Sequence, residues 1–274
     1  MAQTENKLRI PETLRKVKNI VGVFSAKGGV GKSAISLQIA LALKDKGLKV
    51  GLVDADIYGP SQPVMLNSAP GELKLTQDKV IEPLMKDGIK FISMGLISNE
   101  KMPVIWRGPM VSGAVMQLLS QTEWGELDYL IVDTPPGTGD VQLTLLQRIP
   151  LTSSIVVTTP QKVAISDCKK GIEMINKLNL PISGLIENMS WFQPDETDKK
   201  YYLFGRDGGK ELSEEYSLDL LAQLPLVELT DDANIQNNPT LKKEFVNISD
   251  KLTESIKNLK EKKSAGIPQI NIIQ

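Results

Sequence analysis

The sequence predicts an α/β fold of three layers, αβα, built on a mostly parallel, doubly wound sheet. Three observations lead there. Short apolar runs rich in β-branched residues, at 20–24, 50–53, 127–132, 154–158 and 183–187, read as strands buried on both faces. Between them lie longer stretches whose apolar residues return every three or four positions, as on a helix with one face on a core. The alternation of the two patterns is what parallel strands joined by crossover helices produce.

Residues 1–17 are polar, with Pro11 interrupting, and are expected to be a flexible lead-in to a single domain over 18–274. The first strand breaks into a glycine-rich turn. A helix follows over 33–46, with Ile35, Ile39, Ala42 and Leu43 as its stripe and Gly47 as its stop. The strand at 50–53 ends in Asp54-Ala55-Asp56. After it, Gly59, Pro60, Pro63 and Pro70 rule out a long regular element. Residues 73–87 read as short strands and turns, 90–94 as a strand, and Trp106-Arg107-Gly108-Pro109 as a loop opening a helix over 111–119. The strand at 127–132 ends at Asp133. Helices at 141–147 and 163–178 then alternate with the strands at 154–158 and 183–187. A polar, aromatic-dotted loop at 190–207 precedes a helix at 209–216, a strand at 220–224 and a long helix within 240–260.

The chemistry is concentrated in the turn Ala26-Lys27-Gly28-Gly29-Val30-Gly31-Lys32-Ser33. It matches a phosphate-binding loop, in which Gly, four residues and Gly-Lys-Ser/Thr follow a strand and open a helix, except that Ala26 stands at the first glycine. Gly28, Gly29 and Gly31 still allow successive backbone N–H groups to turn inward at a helix N-terminus. Lys32 is then placed for the β- and γ-phosphates and Ser33 for Mg²⁺. In an open α/β sheet the ligand gathers at the carboxyl ends of the strands, and two acidic motifs end strands here. Asp133, after Leu130-Ile131-Val132, is placed to hold Mg²⁺, and the Gly137 N–H of the following TPPGTGD is placed to approach a γ-phosphate. Of Asp54 and Asp56, one is expected beside Mg²⁺ and the other at the attacking water.

Composition removes other chemistries. The chain has one cysteine, Cys168, and no histidine, so it can form no internal disulfide, Cys/His zinc site or histidine-based triad. Its formal net charge of −1 provides no overall basic field for nucleic acid. No signal-peptide core and no run of about 18 apolar residues occurs, which predicts a cytoplasmic protein.

KGGVGKS, with a lysine at each end, resembles the deviant Walker A loop of the MinD, ParA and nitrogenase iron protein group. The segments LVDADIYGPS, WRGPM, DYLIVDTPPGTGD, VVTTPQKVAISD and ENMS, in this order, resemble more narrowly the Mrp/ApbC family of iron–sulfur cluster carrier ATPases. The resemblance implies a P-loop fold, slow Mg²⁺-dependent ATP hydrolysis, an ATP-dependent homodimer and delivery of clusters to apo client proteins. It also implies that Lys27 acts in trans on the partner's nucleotide, that Asp56 is the switch I aspartate and Asp133 the Mg²⁺-linked switch II aspartate. Asn188 of ENMS and Pro225 of LPL are implied as adenine contacts.

The sequence departs from this family at one place. The family carries Cys-x-x-Cys after ENMS, where two subunits together hold a 4Fe–4S cluster, whereas this chain reads WFQPDETDKKYYLFGRDGG. Such a cluster takes four thiolates or comparable soft ligands, so binding to this chain's own residues is not expected. Cys168, Ile172, Ile175 and Leu178 share a helical spacing, which makes Cys168 a buried apolar residue, and Asp195, Glu196 and Asp198 read as a solvated face. The alternative function is a MinD/ParA-type nucleotide switch whose dimer binds a membrane, DNA or a protein. For a membrane, the stripe Leu241, Phe245, Ile248, Leu252, Ile256 and Leu259 has to be weighed against core packing, which is the expected use. Neither a membrane nor a nucleic-acid partner is predicted.

Overall fold

The computed structural model describes residues 10–69, 71, 73–76, 80–96, 108–194, 196–227 and 238–264. In chain order its strands are β1 (Ile20–Phe24), β2 (Val50–Asp54), β3 (Lys74–Leu75), β4 (Ile81–Glu82), β5 (Leu84–Lys86), β6 (Ile89–Ser93), β7 (Tyr129–Asp133), β8 (Ser153–Thr158), β9 (Ile182–Glu187) and β10 (Leu220–Gln223). Its α-helices are α1 (Lys32–Asp45), α2 (Gln62–Met65), α3 (Gly108–Gln121), α4 (Asp140–Arg148), α5 (Lys162–Lys177), α6 (Gly208–Tyr216) and α7 (Pro239–Ser264). The main sheet runs β10-β9-β8-β1-β7-β2-β6-β5 and is parallel except for β5, which returns antiparallel on β6. A small antiparallel pair, β3 with β4, stands apart from it.

Strands β1, β2, β7 and β8 are buried at every position, which is why they read as unbroken apolar runs. The two-residue period of a strand divides them between two cores. Val21, Val23, Leu52 and Ile131 meet α1 and α7 on one face. Ile20, Val53, Leu130 and Val132 meet α3 and α4 on the other, and beyond them Phe24, Val156 and Leu185 meet α5 and α6. The α7 stripe Leu241, Phe245, Ile248, Leu252 and Ile256 lies wholly within the first core, so the face weighed above for a membrane is occupied by the protein itself. Helix α5 comes so close to β1 that a Cβ on Gly171 would stand 2.5 Å from the Phe24 ring. A mid-helix glycine, worth about 1 kcal/mol less than alanine in propensity, is the condition of that approach.

The structure adds detail to three of the sequence expectations. The turn-rich stretch after Asp56 contains the short helix α2, with Pro63 in its first turn, where the missing N–H costs nothing. Helix α3 starts at Gly108, earlier than expected. Trp106, Arg107 and residues 265–274 lie outside the described residues.

The third addition is a correction to the flexible lead-in, of which residues 1–9 lie outside the described residues. Residues 10–17 are docked: a 3-10 turn at Glu12–Leu14 puts Leu14, 2% exposed, into the core with α3 and α4. Thr13 Oγ1 donates to the Ser120 carbonyl at 2.9 Å and Leu127 N to the Lys16 carbonyl at 3.2 Å. Two apolar residues three apart, Leu14 and Val17, suffice for this, and polar surroundings hide them in a composition reading. Leu14→Ala is expected to lower the unfolding free energy by about 2–3 kcal/mol in urea titrations. A change within about 0.5 kcal/mol would mean that this stretch is not docked.

Candidate functional site

The site is assembled by register. β7 lies between β1 and β2, and the pairing places Asp133 beside Val23 on one side and beside Asp54 on the other, at the carboxyl ends of all three strands. The loop 25–31 leaves β1 at this end and opens α1. Gly29 and Gly31 adopt φ of 79° and 83°, and Gly31 caps α1 with no side-chain hydrogen bond, leaving the first N–H groups of the helix for a ligand. A Cβ on Gly31 would fall on the Asn188 amide nitrogen, so that position demands glycine twice over. Ala26 does not need to be glycine: its methyl packs against the core under α5. Gly28 and Gly29 are exposed at the tip, while Val30 is buried.

Lys32, 6% exposed, pairs through Nζ with Oδ1 of the fully buried Asp133 and lies 3.5 Å from Ser33 Oγ. Ser36 Oγ donates to the same Oδ1 at 3.1 Å. Asp133 Oδ2 accepts from Gln62 Nε2 at 3.0 Å, and that amide nitrogen also reaches the Ser33 carbonyl at 2.8 Å. Asp54 is fully buried, and its Oδ2 accepts from Gln62 N and Ser93 Oγ at 3.2 and 3.0 Å. Burial, and then the Asp133 carboxylate next to it, push the Asp54 carboxyl up to about 7. Two carboxylates and the Ser33 hydroxyl form a set of hard oxygen donors that suits Mg²⁺.

Other expected residues are placed less directly. Asp56, 8% exposed, caps the turn after it by accepting through Oδ1 from Tyr58 N and Gly59 N, each at 3.2 Å, and it lines a pocket with Pro135, Pro136 and Gly139. The Gly137 N–H, expected to be free for a phosphate, donates instead to the Ser25 carbonyl at 2.9 Å, which lays 134–139 across the phosphate loop. Asn188 follows β9 and donates Nδ2 to the Val30 carbonyl at 2.9 Å, leaving Oδ1 for a ligand. Half-buried Pro225 sits beside it, between Leu224 N bonded to the Glu187 carbonyl and Leu226 N bonded to the Trp191 carbonyl. Lys27 turns outward to Asp167 Oδ2 on α5 at 3.2 Å, and Asp167 also receives Lys170.

Three residues escaped the sequence reading. Gln62 was hidden among turn residues, although the Pro63 beside it is a helix-start signal. Asp167, the partner of Lys27, sits in a helix that gives no sign of the loop it faces. Glu187, fully buried, holds the first turn of α6 through Gly209 N and holds β10 through Gln223 Nε2 at 2.8 Å. Its place at the end of an apolar strand, like Asp54 and Asp133, was the available signal.

The one cysteine is not placed to face the loop after ENMS. Cys168 is 1% exposed in the core under α5, and burial pushes its thiol up to about 12, so thiolate is scarce. The loop after ENMS closes through a Phe192–Tyr201 bridge, with Lys200 Nζ 3.8 Å from the Trp191 ring centre and Arg206 4.6 Å from that of Tyr202. Among the described residues no three His, Cys, Asp or Glu side chains are grouped to hold a metal ion, and Asp195 lies outside them. No helix among the described residues is long and apolar enough to cross a membrane.

A glycine loop at an uncapped helix N-terminus, its lysine buried against the carboxylate of the next strand, defines a P-loop nucleoside triphosphatase. Residues 16–260 match the family described as "ParA: NUBPL iron-transfer P-loop NTPase", and the chain belongs to it. It is 48% identical over 223 residues to an iron-sulfur cluster carrier protein of Pseudomonas fragi, covering 81% of this chain and 78% of that one. A protein of the same name from Methanocaldococcus jannaschii is 43% identical, with 95% and 92% covered. Another, from Synechocystis, is longer, and the match spans 65% of it. Among solved structures, the nucleotide-binding protein of Archaeoglobus fulgidus in complex with ADP superposes with a TM-score of 0.69 at 30% identity, covering 88% of this chain and 90% of that one.

The raised Asp54 carboxyl has a sign that can be tested. Its folded-state value of about 7 lies above the ordinary 3.8, so the folded protein holds this proton more tightly than the unfolded chain. In nucleotide-free buffer with EDTA, urea midpoints should therefore rise as pH falls through about 7 toward about 4, and Asp54→Asn should flatten that dependence. A flat profile in the unmodified protein would overturn the assignment.

Proposed function

We propose that this chain is an ATPase of iron–sulfur cluster assembly, which binds ATP and Mg²⁺ on the loop 26–33, hydrolyses ATP slowly as a homodimer and serves apo client proteins in the cytoplasm. Residues 18–274 are read as one ATPase domain. The observation that supports this most is the buried group of Lys32, Ser33 and Asp133 at the head of α1, in a chain whose relatives are named as cluster carriers.

Phosphoryl transfer asks for placement and charge neutralisation rather than covalent chemistry, which suits a chain without histidine. Without ligand, Lys32 and Asp133 neutralise each other. Phosphates seated on the α1 N-terminus would compete for Lys32 Nζ and so free Asp133 Oδ1. Asp133, Ser33 and Asp54 would then hold Mg²⁺, which would supply charge neutralisation to the phosphates. Opening of the turn that Asp56 caps frees its carboxylate to orient the attacking water, and release of the Gly137 N–H from Ser25 offers it to the γ-phosphate. Asn188 Oδ1 suits the adenine amino group as acceptor, with Pro225 alongside the ring. Lys27 is free to serve a second subunit because its tie to Asp167 is a partly exposed ion pair that solvent screens.

The cluster is cargo in this reading, and its thiols come from a partner or a small thiol, since Cys168 is buried and mostly protonated. Two measurements test the two halves. Lys27→Ala should retain ATP binding yet lose turnover on the ~10³-fold scale of a cation supplied in trans, and hydrolysis equal to that of the unmodified protein would remove the trans role. Anaerobic reconstitution with iron and sulfide should leave no cluster absorbance. About four irons per dimer, lost in Cys168→Ala, would show instead that the chain holds a cluster itself.

A further inference from the structure

Gln62 touches three residues of the site, Asp54, Asp133 and Ser33. It is fully buried at the first position of α2, its backbone N–H donates to Asp54, and its side-chain nitrogen donates both to Asp133 Oδ2 and to the Ser33 carbonyl. The orientation of its amide is set by those partners: turning it over would aim an oxygen at a carboxylate and a carbonyl, both acceptors. The other end, Oε1, is buried and has no hydrogen-bond partner among the described residues. A buried acceptor left without a donor is destabilising, and such groups mark places where a ligand or water completes the structure.

The donor that is missing can be named from its surroundings. Gln62 stands against Ser33, Asp133 and Asp54, the hard oxygens suited to Mg²⁺, and this ion keeps several of its waters when bound by one or two carboxylates. Such waters are strong donors. We propose that Gln62 is a positioning residue for the metal–nucleotide complex: Oε1 accepts a hydrogen bond from a Mg²⁺-bound water, while the amide nitrogen holds Asp133 and the Ser33 backbone in place. The inference rests on the nucleotide reading above and assigns to it a residue outside the glycine loop and the two strand-end acids. It also gives the segment 55–61, which joins Asp54 to Gln62, a direct link to the metal.

The test reads binding rather than turnover. Affinity for a fluorescent ADP analogue is measured with Mg²⁺ and with EDTA, for the unmodified protein and for Gln62→Met, which keeps the length and loses the polar atoms. The expected result is metal-free affinity within about twofold of normal, with the Mg²⁺-dependent gain reduced by about tenfold, the usual scale for a residue behind a metal ligand. An undiminished gain, or an equal loss with and without Mg²⁺, would overturn the proposal, the latter because a purely structural residue acts that way. If Gln62→Met does not fold, Gln62→Asn decides: it keeps the amide but draws it back by one methylene, so the Mg²⁺-dependent gain should fall while metal-free affinity stays within about twofold of normal, and an undiminished gain overturns the proposal. An unmodified protein that binds no nucleotide would remove the nucleotide reading itself, which is a different result from normal binding with Gln62 irrelevant.

Discussion

The buried pairing of Lys32 with Asp133 is the interaction on which the rest of the site depends. Taking two charges out of water is costly, and their attraction offsets this only when the remaining lone pairs and protons are also satisfied. Ser36 and Gln62 do that for Asp133, and Ser33 stands beside Lys32. The arrangement needs β7 next to β1, in parallel, with Asp133 level with Val23, so that a loop leaving β1 brings the first residue of α1 back over the neighbouring strand. A shift of one residue in that register would turn Asp133 to the other face of the sheet, since strand side chains alternate.

The same register leaves the site short of positive charge. Asp54 and Asp133 lie level on adjacent strands with a single buried lysine between them. The protein accommodates this by raising the Asp54 carboxyl toward neutral pH rather than by supplying a second cation. Lys27, the other lysine of the loop, turns outward to α5. A site of this composition gains most from a ligand that brings its own cation, as a nucleotide with Mg²⁺ does.

Most of this was readable because the governing signals are local. A buried parallel strand needs a run of apolar residues, a phosphate loop needs its glycines and lysine in order, and an acid that ends a strand stands out against the apolar run before it. The juxtaposition of Asp54, Asp133 and Lys32 was therefore legible without any knowledge of contacts. What escaped depended on partners distant in sequence. The pairing of Lys27 with Asp167 crosses from loop to helix, Gln62 reaches Asp133 across 71 positions, and the Gly137 N–H is engaged by Ser25. Leu14 was missed for the converse reason, since the short spacing of Leu14 and Val17 is diluted by the polar residues around it.

The loop 190–207 is connected to the phosphate loop and to the sheet through two neighbouring residues. Asn188 ties the start of the loop 190–207 to Val30 in the phosphate loop, and Glu187, one residue earlier, ties the end of that loop to the sheet through Gly209 at the head of α6. The segment between them is held together by a strand bridge and stacked cations rather than by ligands around a cluster. The loop is thus tied at one end to the phosphate loop and at the other to the head of α6, and it carries aromatic and basic side chains where the resembling family carries thiols.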